Sequence, residues 1–228
     1  MAPLSDWAQS LRDSYPDPSD WKAFDRLPKR DVYRFTRLWM TEGIPYAFKD
    51  NPMVYDLGRE ALARALQDDP KQVSLTGSGR IGFSLAEPKF GKPFQLPTDL
   101  DLFIVSSTLF DRLEADSLRF IARVEARLAI PGSDRERMFW SNNVRELPSS
   151  IDRGFIDSWR VPVFEMYPAF RQVSRSLAAF LETVNNQLET AKRFSKVGLR
   201  TYKNWDRAVG QIGGSLCRTL VALNFRID

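Results

Sequence analysis

Two short stretches of the chain carry residue types able to act on a phosphate. Gly77-Ser78-Gly79-Arg80-Ile81-Gly82 follows the apolar run Val73-Ser74-Leu75-Thr76, and Asp99-Leu100-Asp101 opens the next such run, which ends near Ser106. Glycine lets a backbone approach a ligand closely, and successive N–H groups with the Ser78 hydroxyl can form a nest for the β and γ phosphates of a nucleotide. Residues i and i+2 of a strand share a face, so Asp99 and Asp101 project together while Leu100, Leu102 and Ile104 turn to the core. Neighbouring carboxylates repel unless cations lie between them. Mg²⁺, or Mn²⁺ in its place, takes oxygen ligands and shares its shell with substrate phosphates, and two such ions about 3.5 to 4 Å apart would serve an attacking hydroxyl and a leaving pyrophosphate. Asp99 and Asp101 are therefore the expected metal ligands and catalytic acids.

Three readings compete for the glycines. A dinucleotide fold needs them to open a helix, with an acid about 20 residues on for the ribose. Phe83 to Pro93 is poor helix material, however, and Asp99 and Asp101 begin their strand where a ribose-binding acid would end one. A kinase glycine loop would come with a catalytic His-Arg-Asp, and the chain has no histidine. In the third reading glycines and aspartates form one phosphate-and-metal site on consecutive strands.

In that third form, Leu75-Thr76-Gly77-Ser78 followed by Thr98-Asp99-Leu100-Asp101-Leu102-Phe103 resembles the Gly-Ser and Asp-x-Asp signature of the DNA polymerase β-like nucleotidyltransferases. That superfamily includes template-independent polymerases, tRNA-tailing enzymes, oligonucleotide-signal synthases of antiphage defence and small antitoxin nucleotidyltransferases. The resemblance covers roughly residues 70 to 130 directly. It implies an α+β fold with a small mixed sheet flanked by helices, Mg²⁺ at Asp99 and Asp101, and NTP phosphates at Gly77 and Ser78. It further implies transfer of a nucleoside monophosphate to a hydroxyl, the acceptor being nucleic acid, protein or another nucleotide. Two features depart from the family. Twenty residues separate Ser78 from Asp99, an insertion whose Lys89 and Lys92 are within reach of a triphosphate, Lys92 being the candidate ligand. The third carboxylate, which the family places on a later strand, has no distinctive motif here; Glu165 is the candidate, with Asp157 and Asp152 as rivals. Without a third acid the fold would bind a nucleotide without turning it over, as a degenerate module in a defence or toxin-antitoxin assembly.

Composition narrows the chemistry further. The absence of histidine removes the commonest general base and zinc ligand and every Ser-His-Asp or Cys-His mechanism. A lone cysteine, Cys217, excludes an internal disulfide and a thiolate cluster and fits a reducing compartment. No basic-then-apolar leader is visible, and no run approaches the roughly 20 apolar residues of a membrane helix, so a cytoplasmic protein without a membrane partner is expected. The 228 residues carry a formal net charge of +4, unevenly spread. From Ala191 to Asp228 eight Lys and Arg stand against two Asp, a net of +6 that leaves −2 for the rest. A solvated helix face is the ordinary reason for such a tail; a polyanion is the functional one.

The elements that would position the site follow from hydrophobic period. Residues 1–30 read as short helical pieces pinned by Trp7, Trp21 and Phe24. Helices are expected from Arg30 to Glu42, from Pro52 with a stripe of Leu57, Ala61, Leu62, Ala65 and Leu66, and from Ser107 or Thr108 to about Leu128. Arg80 to Thr98 reads as an extended hairpin. Residues 134–166 read as irregular and strand-bearing, with Trp159 to Met166 the best strand. Beyond Tyr167 two helical stripes follow, Phe170 to Ala191 and Trp205 to Leu223. The predicted organisation is an α/β core over 1–167 and a helical part over 168–228. In that part Tyr202 and Trp205 interleave with Lys196, Arg200, Lys203 and Arg207, a pattern able to stack a base, although core packing is the expected role of Trp205, as of Trp39 and Trp140.

Overall fold

The two period-2 stretches pair with each other as neighbours in a four-stranded sheet. The computed structural model describes residues 3–11 and 15–228, with the side chain of residue 191 left out, so the end of one expected stripe lies outside the described residues. In chain order the elements are α1 (Asp6–Ser10), α2 (Pro18–Lys22), β1 (Arg26–Leu27), α3 (Lys29–Phe35), α4 (Pro52–Leu66), β2 (Val73–Thr76), α5 (Ser78–Ile81) and β3 (Asp99–Val105). There follow α6 (Ser107–Glu125), α7 (Asp134–Asp152), β4 (Phe155–Asp157), α8 (Pro168–Asn186), β5 (Lys196–Tyr202), α9 (Trp205–Ala222) and β6 (Arg226–Ile227). The sheet order is β2-β3-β5-β4, with β2 antiparallel and β5 parallel to β3, so the α+β class with a small mixed sheet holds.

Both faces of this sheet are covered. Leu100, Leu102 and Ile104 face a core built with α4, α6, α7 and α8, whereas Phe103 and Val105 face a second core with α3, α9 and the N-terminal pieces. Trp7, Trp21 and Phe35 close that second core edge-to-face, Trp7 and Trp21 at 5.1 Å, as the aromatic spacing predicts. Trp140 is buried and Trp39 stacks on Phe35 at 5.4 Å. Among the described residues no helix is long and apolar enough to cross a membrane.

Several expectations are corrected. Residues 134–152 form α7, whose start is capped by the Ser133 hydroxyl accepting from the Glu136 N–H at 3.2 Å. Only Trp140, Asn143, Leu147 and Ser150 of that helix are buried, and two of those four are polar, which blurs its period. Trp159 to Met166 is not a strand; the strand of that region is β4, just before it. On α4 the buried line is Tyr55, Gly58, Leu62 and Leu66, with Leu57 exposed. Gly58 belongs to it because a Cβ there would meet the Phe180 ring at 2.7 Å, letting α4 and α8 approach closely. The cap of α6 is Ser106 rather than Ser107 or Thr108. Between α5 and β3 the expected hairpin is kept only over 82–94, where Phe83 bridges Pro93 antiparallel, Phe94 N–H donates to the Gly82 carbonyl at 2.8 Å and Ser84 N–H to that of Lys92 at 2.9 Å; Arg80 and Ile81 belong to α5 instead. The largest surprise is β5, a strand inside the stretch expected to be helical, lying between β3 and β4. The boundary drawn at 167 therefore runs between strands of one sheet.

Candidate active site

Register brings the two motifs into contact. Because β2 and β3 are antiparallel with Thr76 opposite Asp101, the chain leaves β2 where β3 begins. Gly77 sits there with φ 69° and ψ −160°, a conformation open almost only to glycine, and a Cβ on it would come within 2.8 Å of Asp101 Oδ2. Ser78 then starts α5, which Gly82 ends after one turn at φ 95°. A single helical turn followed by an antiparallel strand is not the βαβ unit of a dinucleotide fold. Arg80 is buried and points away from any ligand: its Nε donates to the Trp39 carbonyl at 2.7 Å and a terminal nitrogen to that of Gly43 at 2.9 Å. Burial pulls its pKa below the ordinary arginine value, and its task is to anchor the turn.

The two aspartates differ. Asp99 accepts from the Ser195 hydroxyl at 2.8 Å on one oxygen and pairs with Lys196 Nζ at 2.9 Å on the other. Desolvation pushes its pKa upward, but the bonds from Lys196 and Ser195 outweigh that and hold it below the usual carboxylate value. Asp101 opens onto a cavity on one side and is crowded by protein on the others. That crowding, with the charge of Asp99, raises its pKa against the opposing pull of Arg200 and Lys196. A cation beside Asp101 would favour its ionised form.

The later strand beside β3 is β5, and it brings basic residues. Its register sets Lys196 beside Asp99, Gly198 beside Asp101 and Arg200 beside Phe103. Glu165, the expected third acid, is exposed in the segment before α8, paired with Arg171 at 2.9 Å, and does not line the cavity. The reason is that its segment never forms the predicted strand, so nothing carries it to the sheet. Asp152 is exposed at the end of α7. Asp157 is buried on β4 and engaged by Arg200 through two bonds of 2.6 and 3.1 Å. Burial works against the Arg200 charge, yet the bonds and charge of Asp157 hold the guanidinium above the ordinary arginine pKa. Among the described residues no group of three or more His, Cys, Asp or Glu could hold a metal ion.

Around Asp101 lies a cavity of about 650 Å³, walled by the Gly77-Ser78 turn, the insertion and α9. Lys89 and Lys92 line it from the insertion, in keeping with the expectation for Lys92. Arg200 and Tyr202 line it from β5, and Gln211, Ser215 and Thr219 come from successive turns of α9. The Tyr202 hydroxyl donates to Gln211 Oε1 at 2.5 Å, and burial pushes the phenol up to about 12, so it stays a neutral donor. Sequence reasoning missed the α9 wall, although Gln211, Ser215 and Thr219 recur at i, i+4 and i+8 beside the apolar line Ile212, Leu216 and Leu220. The expected stacking group is dispersed. Tyr202 is at the cavity, Lys203 pairs with Asp111 at 3.5 Å, and Trp205 is partly exposed with its indole N–H on Gln72 at 3.1 Å. Set beside protein-family models, curated proteins and solved structures, the chain matches none of them, and the chemistry of this cleft stands on its own residues.

Proposed function

We propose that the cleft binds a nucleoside triphosphate and transfers its nucleoside monophosphate to a hydroxyl acceptor, as a Mg²⁺-dependent nucleotidyltransferase of the polymerase β-like kind. The observation that carries this reading is the approach of Asp101 to Gly77, so close that a Cβ there would lie 2.8 Å from its Oδ2, at the wall of a cavity lined by two lysines. Two carboxylates suit Mg²⁺, which is commonly held by one or two of them with substrate phosphates and water completing the shell. Burial first, and the charge of Asp99 second, raise the pKa of Asp101, and a cation beside it would relieve both. Bound by Asp99 and Asp101, Mg²⁺ or Mn²⁺ would neutralise charge on the triphosphate and the departing pyrophosphate.

The remaining work falls to the chain. Ser78 and the first N–H groups of α5 hold phosphate oxygens, and Lys89 and Lys92 close over them with positive charge. Lys196 keeps Asp99 ionised. Arg200, held in orientation by Asp157, presents a guanidinium that can take an acceptor phosphate or the developing charge on the transferred group. Tyr202 and Gln211 offer a hydroxyl and an amide for the nucleoside.

A second reading is favoured by one observation: the strand beside β3 carries Lys196, Gly198 and Arg200, and the acid of the next strand, Asp157, is taken up by Arg200 rather than left free for a metal. It makes the chain a nucleotide-binding module without turnover, of use within a defence or toxin-antitoxin assembly. NTP labelled at the α-phosphate decides between them. Transfer is expected with Mg²⁺ or Mn²⁺, yielding pyrophosphate and a labelled acceptor, and Asp101→Asn should lower it at least about a hundredfold with an unchanged circular dichroism spectrum. Undiminished product in that variant overturns the metal assignment. Calorimetric binding of NTP with no product from any of the four nucleotides establishes the second reading.

A further inference from the structure

On the far side of Gln211 from the cleft lies a second, smaller cavity of about 270 Å³, lined by Arg153, Asp206, Arg207, Gly210, Gln211 and Arg218. Gln211 lines both cavities, so the cleft and this basic pocket adjoin across one side chain of α9. We propose that the pocket is the track of the acceptor, and that the acceptor is a single-stranded nucleic acid whose phosphates run over the three arginines and whose hydroxyl-bearing end enters the cleft. This rests on the nucleotidyltransferase reading for the cleft and gives it a substrate class.

Three arginines line this pocket, and among the described residues no carboxylate lies within 4 Å of any of their side-chain nitrogens. Each is held by something that leaves its charge uncancelled. The Arg153 guanidinium lies over the Phe155 ring at 4.9 Å, and its Nε donates to the Ser149 carbonyl at 3.1 Å. The stem of Arg207 crosses the backbone at Gly154, where φ is 79° and a Cβ would strike the Arg207 Cγ at 2.7 Å. Arg218 donates to the Ser215 hydroxyl at 2.9 Å, which in turn receives the Gln211 amide at 3.2 Å. Such placement without neutralisation is what phosphate recognition needs, because guanidinium forks match phosphate oxygens. Asp206 is the one acid of the lining, and it stands in the first turn of α9, where its charge meets the helix N-terminus.

Shape and reach select the ligand. The backbone positions of Arg207 and Arg218 lie about 16 Å apart along α9, so a chain of successive phosphates can touch both in turn. Gly210 between them opens the groove, since a Cβ there would meet nothing within 4 Å. A free nucleotide would be satisfied by the cleft alone. A duplex is too wide for a cleft of about 650 Å³, whereas a strand end fits it.

The test is fluorescence anisotropy of the whole chain with labelled single-stranded RNA and DNA oligonucleotides over a salt series, with a fluorescent NTP analogue measured in parallel. Expected are oligonucleotide binding that weakens with salt, and a slope of log Kobs on log[salt] that falls by about one for Arg207→Gln and again for Arg218→Gln. Arg207→Lys should keep the slope, and NTP binding should be unchanged in all three variants. Comparing the RNA and DNA arms shows which sugar the track accepts. An oligonucleotide affinity indifferent to the triple Arg153, Arg207 and Arg218 substitution by Gln overturns the proposal, as does binding of poly-glutamate in place of either oligonucleotide. Arginine-dependent oligonucleotide binding without NTP binding would keep the track and discard the reading of the cleft; NTP binding without oligonucleotide binding would do the reverse.

Discussion

Helices α8 and α9 cover opposite faces of one sheet and are built to different ends. Along α8, Phe170, Val173, Leu177, Phe180 and Val184 are all buried, and Phe180 reaches the backbone of α4 at Gly58. On α9 the buried line Ala208, Ile212, Leu216 and Leu220 runs beside Gln211, Ser215 and Thr219 at the cleft, with Arg207 and Arg218 near the second pocket. One face of the sheet is spent on cohesion. The other splits each helical turn between core and cavity: its polar side is bonded within itself, Tyr202 to Gln211 and both Gln211 and Arg218 to Ser215, while Arg207 and Arg218 have no carboxylate partner among the described residues.

That contrast can be broken at three points of decreasing size. Phe180→Ala should destabilise the fold by about 3–5 kcal/mol, read by urea denaturation, because the ring fills the α4–α8 contact and its loss leaves a cavity. Ligand binding by the fraction still folded should be unchanged, as the ring is remote from the cleft; weakened binding by folded protein would mean that the two faces are coupled. Gly77→Ala should cost about 1–3 kcal/mol in the same assay, through its glycine-only conformation. Its methyl would also displace Asp101, so Mn²⁺ binding followed by electron paramagnetic resonance should be lost. Retained Mn²⁺ affinity would show that the turn and the carboxylate act separately.

The smallest effect concerns Asp101 alone. Its folded pKa lies above its ordinary value of 3.8. Between those two pH values the native state holds more protons than the unfolded chain, so stability falls as pH rises through the window and stays lower above it. Asp101→Asn should accordingly raise Tm slightly at pH 7, with the gain vanishing below pH 3.8. A Tm lowered at pH 7 would mean that the carboxylate supports the fold rather than burdening it.

Much of the layered arrangement was legible in the chain. The aromatic N-terminal pieces, the helix from Pro52, the strand from Asp99 and the stripe of α8 all follow from strong apolar periods. What misled was residue type at the margins. Gly58 packs like a core residue without counting as apolar, and the polar Asn143 and Ser150 hide the buried side of α7. In Lys196-Val197-Gly198-Leu199-Arg200 the charged and small residues mask β5, whose strand form comes from bonds to neighbours on both sides. Within the site, Gly77, Ser78, Asp101 and Lys92 could be read from type and spacing; Glu165 could not be placed, since a carboxylate's partners depend on which segment reaches the sheet.

By itself the sequence determined the i, i+2 alternation that sets Asp99 and Asp101 on one face, the glycine ahead of Ser78, and the absence of histidine that confines the chemistry to carboxylates, lysine, arginine and hydroxyls. Only the tertiary structure decided that Gly77 lies close against Asp101, that Glu165 stays away from the sheet while Asp157 is taken up by Arg200, and that α9 supplies a polar wall shared by two cavities. Local spacing governs which side chains share a face, because backbone geometry repeats along the chain. Which faces meet is settled by strand pairing and core burial between segments about a hundred residues apart, as Asp99 beside Lys196, or two hundred, as Arg26 beside Arg226.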